Sequence, residues 1–377
     1  MRPTGSTSAL RSANLARVVS VLRTDSELSQ AEIARRTELA PATVSNIVRQ
    51  LVATGLVETA GSGGRAGLTV SIARGAGLVA GIDFGHSHLE VALGDLAARP
   101  LITTRRQLDN DHAYGDGLAL ADELLDSLLA ELGEHRSNVH AAGLGLPAPI
   151  TKDGRITAGS ILPGWVGVAA PDVASKALDL PTLVDNDANL GALAEHSDHP
   201  EVSTLAYLKV SSGIGCGLVL DGNLYRGGLG TAGELGHITL DETGPLCRCG
   251  SRGCLEAYAG GTGLVDQLHS RIPGLAVHDL VDLADSGDAG ARRLLEDAGR
   301  ALGQGSAILA NLLSPELIVV GGDLACSIVV DGIRDGLRRH AVDGLGGEIS
   351  VRVSERGDQA SVVGALVTAL DAVALPL

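Results

Sequence analysis

Residues Gly81 to Leu93 read GIDFGHSHLEVAL. An apolar strand ends in Asp83-Phe84-Gly85, turns, and resumes as a second strand-like run. A strand, a glycine turn and a returning strand make a loop whose backbone N–H groups can close on phosphate oxygens. His86, Ser87 and His88 stand where a close phosphate approach favours small residues. The stretch poses two questions: whether the chain is built on a phosphate-loop α/β fold, and whether that loop still takes a nucleotide.

The unit recurs. TLAYLKVSSGIGCGLVL at 204–220 repeats strand, glycine turn and strand, and LIVVGGDL at 317–324 ends an apolar strand in a glycine pair. Strand-like and helix-like segments alternate around them, an α/β pattern. Any single glycine run is weak, because ordinary turns use glycine too; order and spacing carry the signal. They predict a duplicated, actin-like and ribonuclease-H-like body of two lobes with a cleft between. The expected lobes are 77–184 together with 361–377, and 185–360, the latter carrying a metal site and an oligomerisation surface.

Residues 1–76 form a different unit. A first helix is expected over about Asn14 to Arg23. Ser29 opens a second helix with Glu32 three residues on, a capping box. Pro41 suits the first turn of a third, where its missing N–H costs nothing. There Val44, Ile47, Val48 and Leu51 fall at i, i+3, i+4 and i+7 and predict the buried stripe. Thr43, Ser45, Asn46 and Arg49 lie off it, as polar groups suited to base edges and phosphates in a major groove. GSGGRAG at 61–67 predicts a wing carrying Arg65 between two short strands. Together these describe a winged helix-turn-helix; a protein-binding three-helix bundle explains the helices but not the wing.

Charge agrees. The 377-residue chain has a net charge of −16, yet residues 1–76 hold nine basic against five acidic side chains, and the rest hold 20 against 40. A small basic head can approach a phosphate backbone while the acidic body beyond a Debye length is screened. Apolar residues make up 45% of the chain, but no apolar run reaches the length of a membrane span, and with no charged-then-apolar leader to mark it, export is not expected. Five cysteines, three of them crowded into one segment, suit a reducing cytoplasm and a metal better than disulfides.

The predicted cleft has specific chemistry. VDNDANLGALAE places Asn186 and Asp187 at a strand end before a helix, where a carboxylate can accept a proton or hydrogen bond from a hydroxyl. GTAGELGHITL adds Glu234 and His237, and CRCGSRGCLEAY adds Glu256. Each alone could be a cap or a surface group; converging, they match the hydroxyls of a monosaccharide. His237, Cys247, Cys249 and Cys254 supply four soft or borderline ligands with no spare position, the pattern of a closed structural Zn2+ site. If one ring nitrogen of His237 binds zinc, the other is left for a sugar hydroxyl. Cys216 and Cys326 read as small core residues.

GLPAP at 145–149, LPGW at 162–165, NDAN at 186–189, GELGH at 233–237 and CRCGSRGCLE at 247–256 resemble the ROK family (repressors, open reading frames and sugar kinases) over nearly the whole chain. The added winged helix resembles the family's transcriptional regulators. The resemblance implies that Asn186, Asp187, Glu234, His237 and Glu256 hold a sugar, with Asp187 the base in an active kinase. Family kinases tend to carry Asp-x-Gly-Gly-Thr where this chain has Asp83-Phe84-Gly85-His86-Ser87, so His86 is expected to put a ring into the phosphate space. Ile161 stands where the family often has Asn before LPGW. ATP is therefore not expected to bind productively. The resulting expectation is a cytoplasmic, sugar-responsive repressor, a homodimer or homotetramer on inverted-repeat operator DNA, with no membrane partner. The alternative is an ATP-dependent sugar kinase with an accessory head. Trp165 is expected beside the cleft.

Overall fold

The computed structural model describes residues 7–25, 27–61, 68–73, 75–109, 112–157 and 162–373. The head comprises α1 (Thr7–Thr24), β1 (Leu28–Ser29), α2 (Gln30–Thr37), α3 (Pro41–Ala53), β2 (Val57–Ala60) and β3 (Thr69–Ile72), with an antiparallel sheet ordered β1-β3-β2. Ser29 Oγ accepts from Glu32 N at 3.3 Å while Glu32 Oε2 accepts from Ser29 N at 2.9 Å, so the capping box is formed. Val44, Ile47, Val48 and Leu51 are all buried. α1 starts about two turns before the expected Asn14. Its first turns bury no apolar side chain, so no periodicity betrays them, whereas Leu15, Val18, Val19 and Leu22 form the buried stripe beyond. The wing loop, with Arg65, lies outside the described residues.

The body opens with β4 (Leu78–Phe84), β5 (His88–Asp95), β6 (Pro100–Gln107), α4 (Tyr114–Leu132), β7 (Val139–Leu146), α5 (Ala170–Leu178) and β8 (Thr182–Asn186). It continues through α6 (Asp187–Asp198), β9 (Leu205–Val210), β10 (Ile214–Leu220), β11 (Asn223–Leu224), α7 (Leu255–Ala259), α8 (Gly261–Leu268), α9 (Asp279–Asp285) and α10 (Ala289–Leu313). It ends with β12 (Leu317–Gly321), α11 (Ser327–His340), α12 (Leu345–Glu348), β13 (Ser350–Val353) and α13 (Ala360–Ala369).

The two five-stranded sheets have the same plan. One runs β6-β5-β4-β7-β8 and the other β11-β10-β9-β12-β13. In each, an antiparallel meander of three strands adds two parallel strands beside its first. Both glycine turns of the sequence are the β4–β5 and β9–β10 hairpin turns, and both face the cleft. This is the duplicated, two-lobed architecture that the repeated glycine turns predict.

α13 lies against β4, β7 and α6. It can do so because a Cβ on Gly143 would stand 2.0 Å from Ala365 O, and one on Gly81 2.5 Å from Val362 O. One continuous buried cluster joins Leu15, Val18 and Leu22 of the head to Val79, Leu96, Val362, Leu366 and Leu370 of the body. Arg23 Nε donates to Leu96 O at 3.2 Å across the same seam. Among the described residues no helix is long and apolar enough to cross a membrane.

Candidate functional site

A cavity of about 450 Å³ opens between the lobes. Asn186, Asp187, Glu234, His237 and Glu256 all line it, together with Gly85, His86, His88, Lys209, Ser211, Gly213 and Arg248. Asn186 ends β8 and caps α6: its Oδ1 accepts from Ala188 N at 2.9 Å and its Nδ2 donates to Ala148 O at 3.2 Å. It thereby ties the GLPAP segment to the start of α6. Asp187, the first residue of α6, is 6% exposed. Glu234 precedes a single 3-10 turn, Leu235–His237, rather than lying in an α-helix. Burial, then the Asp187 and Glu256 charges, push its pKa up to about 7.

The ligand atoms of His237, Cys247, Cys249 and Cys254 lie within 4.8 Å of one another. Cys247 Sγ is 3.8 Å from His237 Nδ1, and Cys249 Sγ is 3.7 Å from Cys254 Sγ. Tetrahedral zinc with Zn–S bonds of about 2.3 Å needs ligand separations of roughly 3.6–3.8 Å, so the donor set fits. Isolated bridges Thr239↔Cys254 and Leu246↔Arg252 fold the loop back on itself and present the thiols together. His237 Nε2 is left facing Glu234, 3.9 Å from its Oε2.

The phosphate side is built differently. A Cβ on Gly85 would lie 2.1 Å from His88 Cε1, so the His88 ring covers the first glycine turn, and His86 lines the cavity beside it. Arg105 Nη2 donates to His88 Nδ1 at 3.0 Å. Burial, then Arg105, Lys209 and His86, lower the His88 pKa to about 3, so the ring offers no charge to an anion at neutral pH. Over the second turn, a Cβ on Gly213 would stand 2.1 Å from Arg248 Nη2. That guanidinium is bidentate on Glu256, Nε to Oε1 at 2.7 Å and Nη2 to Oε2 at 2.8 Å. Both glycine turns are thus covered by the chain's own side chains.

Between these ends lies Lys209. Its Nζ is 2.8 Å from Asp187 Oδ2 and 3.9 Å from Asp83 Oδ2, and donates to Ser361 Oγ at 3.0 Å. Burial alone would lower the ammonium's pKa, but Asp187, Asp83 and Tyr207 outweigh it and the net is upward. Asp83, 1% exposed, is pushed up to about 6, by burial first.

A profile described as "ROK family" matches residues 79–372. The chain belongs to the ROK family. A second profile, "MarR family", matches residues 16–66, within the head. This ROK protein is 28% identical over 353 residues to the xylose repressor of Bacillus subtilis, covering 90% of each chain. It is 28% identical over 393 residues to the dual regulator NagC of Escherichia coli, covering 96% of this chain and 93% of that one. A glucokinase of Halalkalibacterium halodurans is 30% identical over 311 residues, covering 75% of this chain and 92% of its own.

Among solved structures, a ROK family transcriptional regulator described as a homolog of the E. coli MLC protein superposes with a TM-score of 0.79 at 26% identity, covering 97% of this chain and 96% of that one. A ROK glucokinase from Streptomyces griseus, in complex with glucose and AMPPNP, gives 0.68 at 27% identity, covering 78% and 100%. The regulators match head and body, the kinases the body alone.

In this ROK chain α3 exposes Asn46 and Arg49, with Arg49 Nη1 donating to Asn46 Oδ1 at 3.3 Å; Thr43 and Ser45 are half-buried. Arg11 of α1 donates to Gln50 Oε1 at 2.7 Å and flanks the same face. Trp165 does not line the cleft. It is fully buried, edge-on to Phe84 at 5.2 Å and donating to His112 Nε2 at 3.3 Å, because its ring completes the core under the first glycine turn. Cys216 is a buried core residue, whereas Cys326 is half-buried at the start of α11. Sequence reading passed over Lys209 and Arg248. The signal for Lys209 was present: one of three lysines in the chain, it interrupts the apolar run of β9 directly before a glycine turn.

Proposed function

We propose that this ROK protein is a sugar-responsive transcriptional repressor whose winged head binds operator DNA and whose cleft reads a monosaccharide or a derivative. What supports the reading most is the pairing of two features in one chain. The phosphate-side glycine turns are covered by His88 and Arg248, and the lobe holding the cleft shares a single apolar core with a DNA-binding head. Asp187, Glu234, His237 and Glu256 receive the sugar hydroxyls, with Asn186 shaping the strand end beneath them. Zn2+, held by His237, Cys247, Cys249 and Cys254, fixes the imidazole so that Nε2 meets a hydroxyl beside Glu234. Thr43, Ser45, Asn46 and Arg49 of α3, with Arg65 of the wing, contact the duplex. A homodimer or homotetramer sets two heads on an inverted repeat.

α13 is the route from sugar to head. It begins at the cleft, where Ser361 Oγ donates to Asp187 O at 3.1 Å and receives Lys209 Nζ. Its Val362, Val363, Leu366 and Ala369 belong to the cluster that holds Leu15, Val18 and Leu22 of α1. A sugar that binds one lobe arrangement better than the other shifts α13 and the head with it, and operator DNA must then weaken sugar binding by the same factor.

The test is selection of genomic fragments by the purified chain, followed by anisotropy of a selected operator against a sugar panel led by xylose and N-acetylglucosamine. Release by one sugar, with Asn46→Ala and Arg49→Ala losing operator but keeping sugar, is the expected result. No operator, or no sugar that changes its affinity, would sink the reading. The second reading, a sugar kinase, draws on Asp187 in the cleft and on the glucokinase likeness; ADP release across the same panel decides it.

A further inference from the structure

The cleft contains an arrangement that hydroxyl recognition does not require. Asp83 comes from the end of β4 in the first sheet, Asp187 from the start of α6, and Lys209 from β9 in the second sheet. Their side chains meet at one nitrogen, with Oδ2 atoms at 2.8 and 3.9 Å. Both carboxylates are buried, and Asp83 Oδ1 has no hydrogen-bond partner. Two buried carboxylates brought together beside glycine turns need a cation or a proton, because burial disfavours two unpaired negative charges side by side.

A phosphoryl-transfer centre supplies that cation as a divalent ion carried with the nucleotide. Here the residues do not fit one. A hard dication needs oxygen ligands at about 2.1 Å and usually keeps several waters. An ammonium already in contact with Asp187 occupies that volume and repels a second positive charge. Its third contact, the Ser361 hydroxyl, holds it in place from α13.

We propose that Lys209 is a resident counter-ion, whose ammonium takes the place between Asp83 and Asp187 that a nucleotide-borne divalent cation would need. It keeps the cleft a binding site rather than a phosphoryl-transfer centre. The inference deepens the sensor reading above and rests on it. Lys209 acts alongside the covered glycine turns but by a separate physical effect: His88 and Arg248 deny space to phosphates, whereas Lys209 removes the demand for a metal. It also occupies Asp187 Oδ2 with an ammonium while the carboxylate still lines the cavity within reach of a sugar hydroxyl.

The test uses the full zinc-loaded chain, Mn2+ as the probe, and electron paramagnetic resonance of free Mn2+, with and without ATP. Lys209→Ala opens the space; Lys209→Gln keeps the stem and a donor but removes the charge. Each variant is expected to bind an additional Mn2+ at least about tenfold more tightly than the unaltered chain, and to unfold at a higher temperature when Mn2+ is present. Adding Asp83→Asn to Lys209→Ala should abolish the gain. Should Lys209→Ala fold only when Mn2+ is supplied, that supports the proposal equally.

Mn2+–ATP binding by the unaltered chain as tight as by Lys209→Gln overturns it, as does the absence of any Mn2+-dependent gain, in binding or in folding, in both variants. Operator release by sugar is measured on the same preparations. A chain that releases operator normally yet loads Mn2+–ATP would refute the role of Lys209 and leave the repressor reading standing. A chain that excludes Mn2+–ATP but ignores every sugar would do the reverse.

Discussion

The two ends of the cleft are made of similar residue types put to opposite use. At the metal end, Glu234 and His237 face each other at 3.9 Å without closing a hydrogen bond, and the thiols and Nδ1 turn away toward a shared centre. At the phosphate end the two side chains that cover the glycine turns are already satisfied, His88 by Arg105 and Arg248 by Glu256. Polar groups that are paired within the protein gain little from a ligand, whereas unpaired ones gain the whole bond. The difference teaches that one end is left open to a ligand and the other is closed by the chain's own side chains, without loss of either glycine turn.

The largest expected effect breaks the metal end. Cys254 is fully buried at the start of α7, and Cys254→Ser removes a ligand that no water can replace. Zinc content should fall and the sugar-induced change in operator affinity should drop by about 100-fold, roughly the upper range of allosteric coupling. Affinity for operator in the absence of sugar should change little, since Cys254 is not part of the buried cluster that holds the head. Anisotropy titrations with metal analysis check this. Equal loss of sugar response in His88→Gly would mean the two ends are not separable.

A second break falls on the strut between the ends. Arg248 links the metal loop to Glu256 and lies over Gly213. Arg248→Ala leaves a buried carboxylate with the Ile214 N–H, at 2.9 Å, and the weak Cys247 Sγ contact, at 3.9 Å, as its remaining partners. Removing one partner from such a pair should cost about 2–3 kcal/mol in urea unfolding, discounted because the arginine is partly exposed. Arg248→Met with Glu256→Gln should recover most of it.

How much of this was legible depends on the range of the interaction. The capping box of Ser29 and Glu32, the stripe of α3 and the His-Cys set are local patterns, fixed by helical period or by ligand spacing, and the structure forms each of them. The paired glycine turns gave the duplicated sheets because β4–β5 and β9–β10 are hairpins whose strands adjoin in sequence. Lys209 with Asp83, Arg105 with Asp358, and Arg248 over Gly213 join elements from different parts of the chain. No periodicity encodes which long side chain ends where, so the closing of the phosphate end was visible only in three dimensions. The first turns of α1 failed for the converse reason: their helix is local but has no buried face to announce it.

A third prediction sharpens the contrast through pH. Glu90 opposes Asp83 across β4–β5, is buried, and has an Oε2 without a hydrogen-bond partner. Burial, then the Asp83 and Asp358 charges, push its pKa up to about 7. The folded state therefore keeps this proton while the unfolded chain releases it near the ordinary carboxylate value of about 4.5, so stability falls as pH rises from about 4.5 to 7 and is flat above. Glu90→Gln, which is never charged, should flatten that slope and raise stability at pH 8 by about 1–2 kcal/mol. Urea unfolding at pH 5.5 and 8 checks it; an unchanged slope would show that the acidic groups beneath the phosphate end carry no strain.

The smallest effect tests whether the metal end is heard by the head at all. Arg23 of the head hydrogen-bonds to the first lobe, Nε to Leu96 O at 3.2 Å. Burial lowers its pKa, partly offset by Asp371, so the guanidinium is held in a poorly solvated seam rather than in water. Arg23→Ala removes one hydrogen bond, for a cost of about 1 kcal/mol or less. It touches neither the sugar groups nor α3. Sugar affinity of the free chain and operator affinity without sugar should both stay within about threefold, while the factor by which each ligand weakens the other shrinks. If that factor is unchanged, the seam around Leu96 is only a support, and coupling must run through the apolar contacts of α13 alone. If it falls with both affinities intact, the head is moved by the lobe it rests on.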